Sequence, residues 1–367
     1  MSSAMRSWLI RSAAALGAVG GASAAYQAAA EARDRRRFPP PGRLADLGGR
    51  FLHLLEAGTG SPVVVIVPAI GGNVLDWLAF HRELATDLRV CVYDRAGFGW
   101  SDSPPRGRRT FDDMADELRQ GLAGAGIGPP FVLVGHSIGG IIARRFTVRY
   151  RGDVAGMVLI DSSHEDQARR RRADGLWRGA PRTFWYVLGR RARVLGLRRL
   201  AVQAGFSELN AEIARDVPPE CAAAARAINL TARHRRAVVQ ELMLMTRSHG
   251  QPAGLGGLPL TVLTAAGRDA TWMQMQAELA GLSTAGTHII AAQGGHYLQR
   301  DEPDLVASAI RDLVARIRDP AKPLPRRRHL LRRRAGVPPG RLPGRTAGAR
   351  PCDAWQAPQG PRVADES

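Results

Sequence analysis

Cysteine is scarce in this sequence, with three residues, Cys91, Cys221 and Cys352, among 367. They lie far apart in an apolar stretch, an alanine-rich stretch and a polar tail, and an odd number cannot all pair. The spacing therefore predicts neither a disulfide framework nor a zinc site. We expect no metal and no cofactor. No internal repeat is apparent.

Excess charge is nearly missing from most of the chain, although the net charge is +19. Residues 163–256 hold 17 Arg and no Lys against 8 acidic residues, a net +9, and residues 318–367 hold 12 basic against 4 acidic residues, a net +8. The second segment is rich in proline and glycine without apolar periodicity, which predicts a disordered tail. We interpret both segments as solvated and do not expect nucleic-acid binding; attachment to anionic lipid or nucleic acid is the alternative.

Charge is also absent from residues 12–30, an alanine- and glycine-rich segment that follows Arg6 and Arg11. Its length of about 19 residues is near the roughly 20 that span a bilayer. We therefore predict that residues 1–42 form an N-terminal anchor and a basic linker, with the protein associated with a membrane. A secretory signal with a small-residue site at residues 22–24 and a surface helix on a cytoplasmic protein are the alternatives.

Strand-like and helix-like segments alternate after the proline break at residues 39–41. Short apolar runs predict strands at residues 50–55, 63–67, 90–93, 131–134, 157–160, 260–263 and 288–291, and helical patterns cover residues 77–84, 110–122 and 303–317. This order predicts an α/β fold with a mostly parallel, doubly wound sheet built from residues 43–162 and 257–317. Residues 163–256 show helical periodicity and are predicted to form an inserted lid, with Phe184, Trp185 and Tyr186 among its apolar residues.

A serine lies between two glycines in Gly135-His136-Ser137-Ile138-Gly139, after an apolar strand and before a helical pattern. A sharp strand-to-helix turn of this kind exposes a nucleophilic hydroxyl and requires small residues two positions to either side. We therefore predict that Ser137 is a catalytic nucleophile. The alternative is a glycine-rich turn with a buried serine.

A serine hydroxyl needs a histidine base and an acid that holds the base. His296 follows the last strand through two glycines and is the predicted base; His164 and His249 are weaker candidates, and His136 is predicted to be structural. Asp269, just beyond the strand at residues 260–263, is the predicted acid, and Asp161 at the end of the preceding strand is the alternative.

Backbone amides are the expected donors to the oxyanion of the transition state. One is predicted to come from Ile138, the residue after the nucleophile. The other is predicted to come from Ile70, in the turn Pro68-Ala69-Ile70-Gly71-Gly72. An ordinary glycine turn is the alternative there.

These motifs, together with the segment Tyr93-Asp94-Arg95-Ala96-Gly97-Phe98-Gly99-Trp100-Ser101-Asp102 and Gly295-His296-Tyr297, resemble the α/β hydrolase superfamily with a helical cap over residues 43–317. Many members carry His-Gly where this chain has Pro68-Ala69. Residues 161–167 also resemble bacterial members with an N-terminal hydrophobic segment, which favours the anchor. The resemblance implies hydrolysis of a small, apolar carboxylic ester through an acyl-enzyme. Perhydrolysis or haloperoxidase-like chemistry, amide or C–C bond hydrolysis, and a hydrolase-like ligand-binding protein remain alternatives.

Overall fold

The computed structural model describes residues 3–105, 107, 109–174, 199, 200, 202, 204, 217–250 and 252–321. Eight strands form one sheet in the order β1-β2-β4-β3-β5-β6-β7-β8. The strands are β1 (Arg43–Asp46), β2 (Phe51–Ala57), β3 (Val63–Val67), β4 (Val90–Tyr93), β5 (Phe131–His136), β6 (Val154–Ile160), β7 (Leu260–Ala265) and β8 (Gly286–Ala291). β1 and β2 are antiparallel to their neighbours, and the other pairings are parallel.

The described helices precede, connect or follow these strands. They are α1 (Ser3–Arg37), α2 (Leu78–Leu84), α3 (Phe111–Gly124), α4 (Ile138–Arg149), α5 (Gln167–Ala173), α6 (Ala222–Asn229), α7 (Ala232–Arg247), α8 (Ala270–Ala280), α9 (Leu298–Asp301) and α10 (Pro303–Arg318). Short 3-10 helices cover Val74–Trp77, Arg151–Asp153 and Pro219–Cys221. The mostly parallel sheet with helices on both faces confirms the predicted fold class.

The continuous apolar run of β3 is explained by burial on both faces of the sheet. Val63, Val65 and Val67 face one apolar cluster with side chains of α3 and α4. Val64 and Ile66 face a second cluster with side chains of α2 and α10. Because successive side chains of a strand point to opposite faces, only a strand covered on both sides is apolar at every position. The sheet therefore lies in the centre of the fold with both faces covered, and the loops at the carboxyl ends of its strands are where a functional site can form.

Two features of the core differ from the sequence-based expectation. β1 was not predicted, since its four residues begin and end with a charged side chain and it depends on pairing with β2. The helix expected from Trp77 begins instead with a 3-10 turn at Val74, capped by Asn73, whose side chain accepts from the Leu75 amide. The helix expected from residue 110 begins as predicted: Thr110 and Asp113 cap α3, each side chain accepting from the other's backbone amide.

Among the described residues between β6 and β7 the structure has helices α5, α6 and α7 and no strand; that this segment forms a lid stays a prediction. α5 is tied to α8 by two ion pairs, Arg170 with Glu278 and Arg171 with Asp269. Two arginines of this basic segment therefore hold α5 against α8. The domain boundaries proposed from the sequence stay predictions, and Phe184, Trp185, Tyr186, Cys352 and the tail beyond residue 321 lie outside the described residues.

The second half of the N-terminal helix α1 contacts the segment between β6 and β7. The Gln27 amide nitrogen donates to the Leu230 carbonyl at 2.9 Å, and the Glu31 carboxylate accepts from the Ala232 amide at 2.8 Å at the start of α7. Within the part of the chain that the structure describes, no helix combines the length and apolar character needed to cross a bilayer. The predicted localisation stays a prediction.

Candidate active site

Ser137 occupies a strained turn between β5 and α4. Its φ of 54° and ψ of −122° lie in a region that residues with a side chain rarely adopt. The end of β6 and the segment after it hold this backbone: the Ser137 amide donates to the Ile160 carbonyl at 3.1 Å, and the Ser163 amide donates to the Ser137 carbonyl at 2.9 Å. The segment after β6 therefore supports the turn. Such strain persists only where the surroundings fix it, and it concentrates at functional sites.

The glycines around Ser137 are required by contact with neighbouring backbone. A Cβ at Gly135 would lie 2.6 Å from the Cα of Gly140. A Cβ at Gly139 would overlap the carbonyl oxygen of Val67, at the end of β3. The steric reason predicted for the small residues is thus present. The contact at Gly139 also brings the Pro68–Gly72 turn close to Ser137.

His296 lies in the loop beyond β8, beside the elbow. The His136 Nε2 lies 2.8 Å from the His296 carbonyl oxygen, and the two imidazole rings are 4.9 Å apart between centroids. Burial, followed by the nearby His296, lowers the pKa of His136 to about 3 from 6.5. A neutral His136 must donate through Nε2 to this carbonyl. His136 therefore positions the backbone of His296, in keeping with the structural role expected for it.

The carboxylate that contacts His296 belongs to Asp161, not to Asp269. The His296 Nδ1 lies 2.6 Å from Oδ2 of Asp161, which follows β6 directly and is fully buried. Asp269 instead caps α8, since its Oδ1 accepts from the Trp272 amide at 2.9 Å and its Oδ2 from Arg171 at 2.8 Å. The expected pairing of Asp269 with His296 is therefore corrected in favour of the alternative, Asp161. An aspartate just before a helical pattern is a typical N-cap, and that signal would have identified this role.

Both carboxylate oxygens of Asp161 are bound. Oδ1 accepts from the Trp272 indole nitrogen at 2.8 Å, and Oδ2 accepts from His296 and from the Arg268 guanidinium. Arg268 also lies over the Trp272 ring, 4.8 Å from its centroid. Burial opposes ionisation of Asp161, but the hydrogen bonds from His296 and Arg268 outweigh it and keep its pKa below the ordinary value. Asp161 is therefore an anion that can stabilise a protonated imidazole.

Arg268 is a participant that the sequence analysis missed. Its Nη2 donates a hydrogen bond to Asp161 Oδ2 and lies 2.9 Å from His296 Nδ1. It stands in the loop after β7, one residue before Asp269, and no motif marks it. Only the folded structure shows that this loop places Arg268 against Asp161 and does not place Asp269 against His296.

Ile138 begins α4 and Ile70 lies in the turn after β3, and their assignment as oxyanion donors stays a prediction. Ile138 is the first residue of α4, and the first amides of a helix have no partner inside it. In the turn after β3, the Gly72 amide donates to the Ala69 carbonyl at 2.9 Å, and Gly71 has a φ of 74°, which favours glycine. Replacement of His-Gly by Pro68-Ala69 thus leaves a formed turn next to Gly139.

The weaker histidine candidates are not brought to Ser137. His164 is buried, accepts from the Asp166 amide at 3.0 Å through Nδ1, and faces Glu278. His249 is exposed just after α7. Among the described residues, no group of three or more His, Cys, Asp or Glu side chains is placed to bind a metal ion.

The fold and this arrangement define a hydrolase enzyme. The chain belongs to the alpha/beta hydrolase fold family, whose model matches residues 62–303. It is 36% identical over 107 residues to an AB hydrolase superfamily protein of Gibberella zeae, and 24% identical over 273 residues to the protein YqjL of Bacillus subtilis. The second match covers 73% of this chain and 89% of YqjL. The first two curated relatives are matched over only 18% and 33% of their length.

Solved structures share the fold. An enol-lactonase from Burkholderia xenovorans LB400 superposes with a TM-score of 0.56 at 17% identity, covering 74% of this chain and all of that one. A thermophilic esterase from Thermogutta terrifontis superposes with a TM-score of 0.52 at 24% identity, covering 75% of this chain and 98% of the esterase. At these identities the likeness concerns the fold.

Proposed function

We propose that this protein is a serine hydrolase that cleaves a small, apolar carboxylic ester through an acyl-enzyme on Ser137. His296 is the general base and Asp161 the acid that orients it. The observation that carries the proposal is the 2.6 Å contact between His296 Nδ1 and Asp161 Oδ2, made beside a strained serine elbow. With Nδ1 protonated and bound to Asp161, the Nε2 atom of His296 is left as the base.

The reaction proceeds in two halves. His296 Nε2 takes the Ser137 hydroxyl proton as the serine oxygen attacks the ester carbonyl, and the Ile138 and Ile70 amides receive the oxyanion. The C–O bond to the alcohol breaks, and the alcohol leaves with the proton held by His296. Water then attacks the acyl-enzyme, giving its proton to His296, and the acid is released as Ser137 regains a proton.

An ester is the favoured substrate because ester hydrolysis requires only a nucleophile, a base with its acid, and oxyanion donors, which are the groups proposed above. The names of two fold neighbours, an esterase and an enol-lactonase, support cleavage of an acyl C–O bond. An apolar acyl group is supported by the surroundings of the turn: a Cβ on Gly71 would lie 3.5 Å from the Val238 side chain of α7. Ile70 and Leu244 are also apolar and partly buried, and both pack on the core cluster that contains Val63, Val65 and Val67.

The test combines labelling with turnover. Wild-type protein should react with a fluorophosphonate and hydrolyse 4-nitrophenyl esters, with the highest kcat/KM at short to medium acyl chains. Ser137→Ala should lose both. Ser163→Ala is the control, because it removes a neighbouring hydroxyl and keeps the Ser163 amide that supports the elbow. Turnover of peroxides, amides or C–C substrates without ester turnover would favour the alternative hydrolases, and labelling without turnover of any kind would favour a ligand-binding protein.

We also propose that the N-terminal segment associates with a membrane surface. The support is that α1 exposes Met5 and Trp8 beside Arg6 and Arg11, so that apolar and basic side chains lie together near its N-terminus. Cell fractionation of the full chain and of a chain lacking residues 1–24 tests this, since the truncation keeps the hydrogen bonds of Gln27 and Glu31 with the segment between β6 and β7. Equal membrane fractions for both would contradict it.

A further inference from the structure

A buried arginine connects the lid to the turn that carries Ile70. Arg95 follows β4 and is 1% exposed, and its partner Glu241 on α7 is fully buried. The guanidinium donates to both carboxylate oxygens of Glu241, at 2.7 and 3.0 Å. It also donates to the carbonyl oxygens of Pro68 and Ala69, each at 2.7 Å. Four of the five N–H groups of the guanidinium are thereby used.

The contact with Ala69 has a direct geometric consequence for Ile70. In a trans peptide unit the carbonyl of one residue and the amide of the next point in opposite directions. The Ala69 carbonyl is held toward Arg95, so the Ile70 amide is directed to the other side of the turn. Arg95 thus fixes the direction of the proposed oxyanion donor without touching the substrate.

The lid helix approaches this loop along one face. Three residues of α7 spaced four apart each meet the loop after β4, and helix residues at this spacing share a face. The Arg233 guanidinium donates to the Gly99 carbonyl at 2.5 Å, a Cβ at Gly97 would lie 2.6 Å from the Ala237 Cβ, and Glu241 binds Arg95. The position of α7 therefore sets the position of Arg95.

We propose that Arg95 is a positioning residue for the oxyanion turn, and that Glu241 makes its placement depend on the lid helix α7. The inference rests on the proposed function, because it assumes that the Ile70 amide binds the oxyanion. It explains why a carboxylate and a guanidinium are buried far from solvent: Glu241 compensates the charge of an arginine whose other donors must serve two backbone carbonyls. A buried pair of this kind is poorly justified by stability alone.

The decisive variants are Glu241→Gln, which keeps the shape but removes the charge that holds Arg95, and the milder Glu241→Asp, which retracts the carboxylate by one methylene. Glu56→Gln is the control, because Glu56 also pairs with an arginine, Arg89, at 2.6 Å, but at the opposite end of β4 and in a partly exposed setting. All are compared at a temperature where circular dichroism shows each variant to be folded. If Glu241→Gln does not fold, Glu241→Asp carries the test.

The kinetic test uses the best 4-nitrophenyl ester and a trifluoromethyl ketone with the same alkyl chain, which forms a tetrahedral oxyanion on the serine. Loss of one oxyanion donor lowers kcat by about 10²- to 10³-fold. We expect kcat in Glu241→Gln to fall by up to this factor, the ketone affinity to fall in parallel, and KM to change little, with a smaller parallel loss in Glu241→Asp. An unchanged kcat, or a loss of kcat without loss of ketone affinity, would overturn the proposal.

Hydrogen exchange provides a readout that does not depend on turnover. In Glu241→Gln the amides of residues 69–72 should exchange faster, and in Glu56→Gln they should exchange as in wild type. Equal exchange protection of residues 69–72 in all three proteins would refute the positioning role of Arg95 and Glu241, even if the enzyme were inactive on every ester. Failure of the proposed function would appear differently, as wild-type protein in which phosphonate does not label Ser137.

Discussion

Asp161 and His296 are 135 positions apart in the chain, and Oδ2 of the first lies 2.6 Å from Nδ1 of the second. They meet because β6 and β8 flank β7, and each residue follows its strand at the same edge of the sheet. Asp161 has a φ of 37°, and its amide donates to the Leu263 carbonyl at 2.7 Å. The chain thus turns sharply at Asp161 and places its carboxylate under the histidine loop.

Substitution at the two aspartates should separate their roles. Asp161→Asn keeps the shape but removes the charge that stabilises the imidazolium, so we expect kcat to fall by about 10³- to 10⁴-fold. Asp269→Asn should retain most activity, and because asparagine also caps helices it should retain stability. Asp269→Ala should lower the free energy of unfolding by about 1 kcal/mol through loss of the cap. Steady-state kinetics and urea unfolding measure both; a large loss of kcat in Asp269→Asn would contradict the assignment.

Backbone strain at Ser137 predicts a stability difference between two inactive variants. Ser137→Ala and Ser137→Gly both lack the hydroxyl of the proposed nucleophile, but only the alanine keeps a Cβ at the φ of 54°. A side chain in such a region costs about 1–3 kcal/mol, and glycine removes this strain. Part of the gain in stability is offset because glycine is more flexible in the unfolded chain. We expect Ser137→Gly to be more stable than Ser137→Ala by about 1 kcal/mol in urea unfolding. A less stable glycine variant would show that the turn is not strained.

Close packing at Gly139 predicts that a single methyl group will damage the site. In Gly139→Ala the new Cβ would overlap the Val67 carbonyl, which is backbone and cannot rotate away. We expect unfolding free energy to fall by about 1–3 kcal/mol and kcat to fall more than tenfold, since β3 leads directly into the oxyanion turn. Gly152→Ala is the control, because a Cβ there meets nothing within 4 Å. Similar effects in the two variants would indicate a general loss of glycine flexibility.

Buried histidine predicts how stability depends on pH. Burial lowers the pKa of His81 to about 4 from 6.5, with its Nε2 at 3.2 Å from the Val90 carbonyl oxygen. Between these pH values the unfolded chain binds a proton that the folded chain does not, so stability falls as the pH drops from 6.5 toward 4. His81 therefore lowers the free energy of unfolding by up to about 1.4 kcal/mol for each pH unit within this range.

His81→Gln should therefore lose less stability on acidification than wild type, although His136 still contributes in the same direction. Urea unfolding at pH 7, 6 and 5 measures the two slopes. Parallel slopes for wild type and variant would mean that His81 is protonated equally in both states.

The sequence allowed much of the scaffold to be predicted, for reasons visible in particular residues. β3 and β4 are buried on both faces and read as unbroken apolar runs, so their bounds were predicted as found. The elbow was identifiable because its glycines are a local steric requirement. β1 was missed because its register with β2 decides its conformation, and its own residues do not.

The acid was harder to choose than the base. Asp161 and Asp269 both follow strands that end at the same edge of the sheet, and only the path of each loop decides which carboxylate reaches His296. The Arg95–Glu241 pair joins residues 146 positions apart, and neither residue carries a pattern that predicts the other. Contacts between distant loops are set by the assembled sheet and lid.

The most direct test of the central claim is to locate the covalent adduct. Wild-type protein is incubated with a fluorophosphonate, digested, and its peptides are analysed by mass spectrometry. A hydrolase acting through Ser137 should carry one adduct, on the peptide that contains Ser137, formed in step with loss of esterase activity and absent from Ser137→Ala. Undiminished adduct or esterase activity in Ser137→Ala would contradict the account.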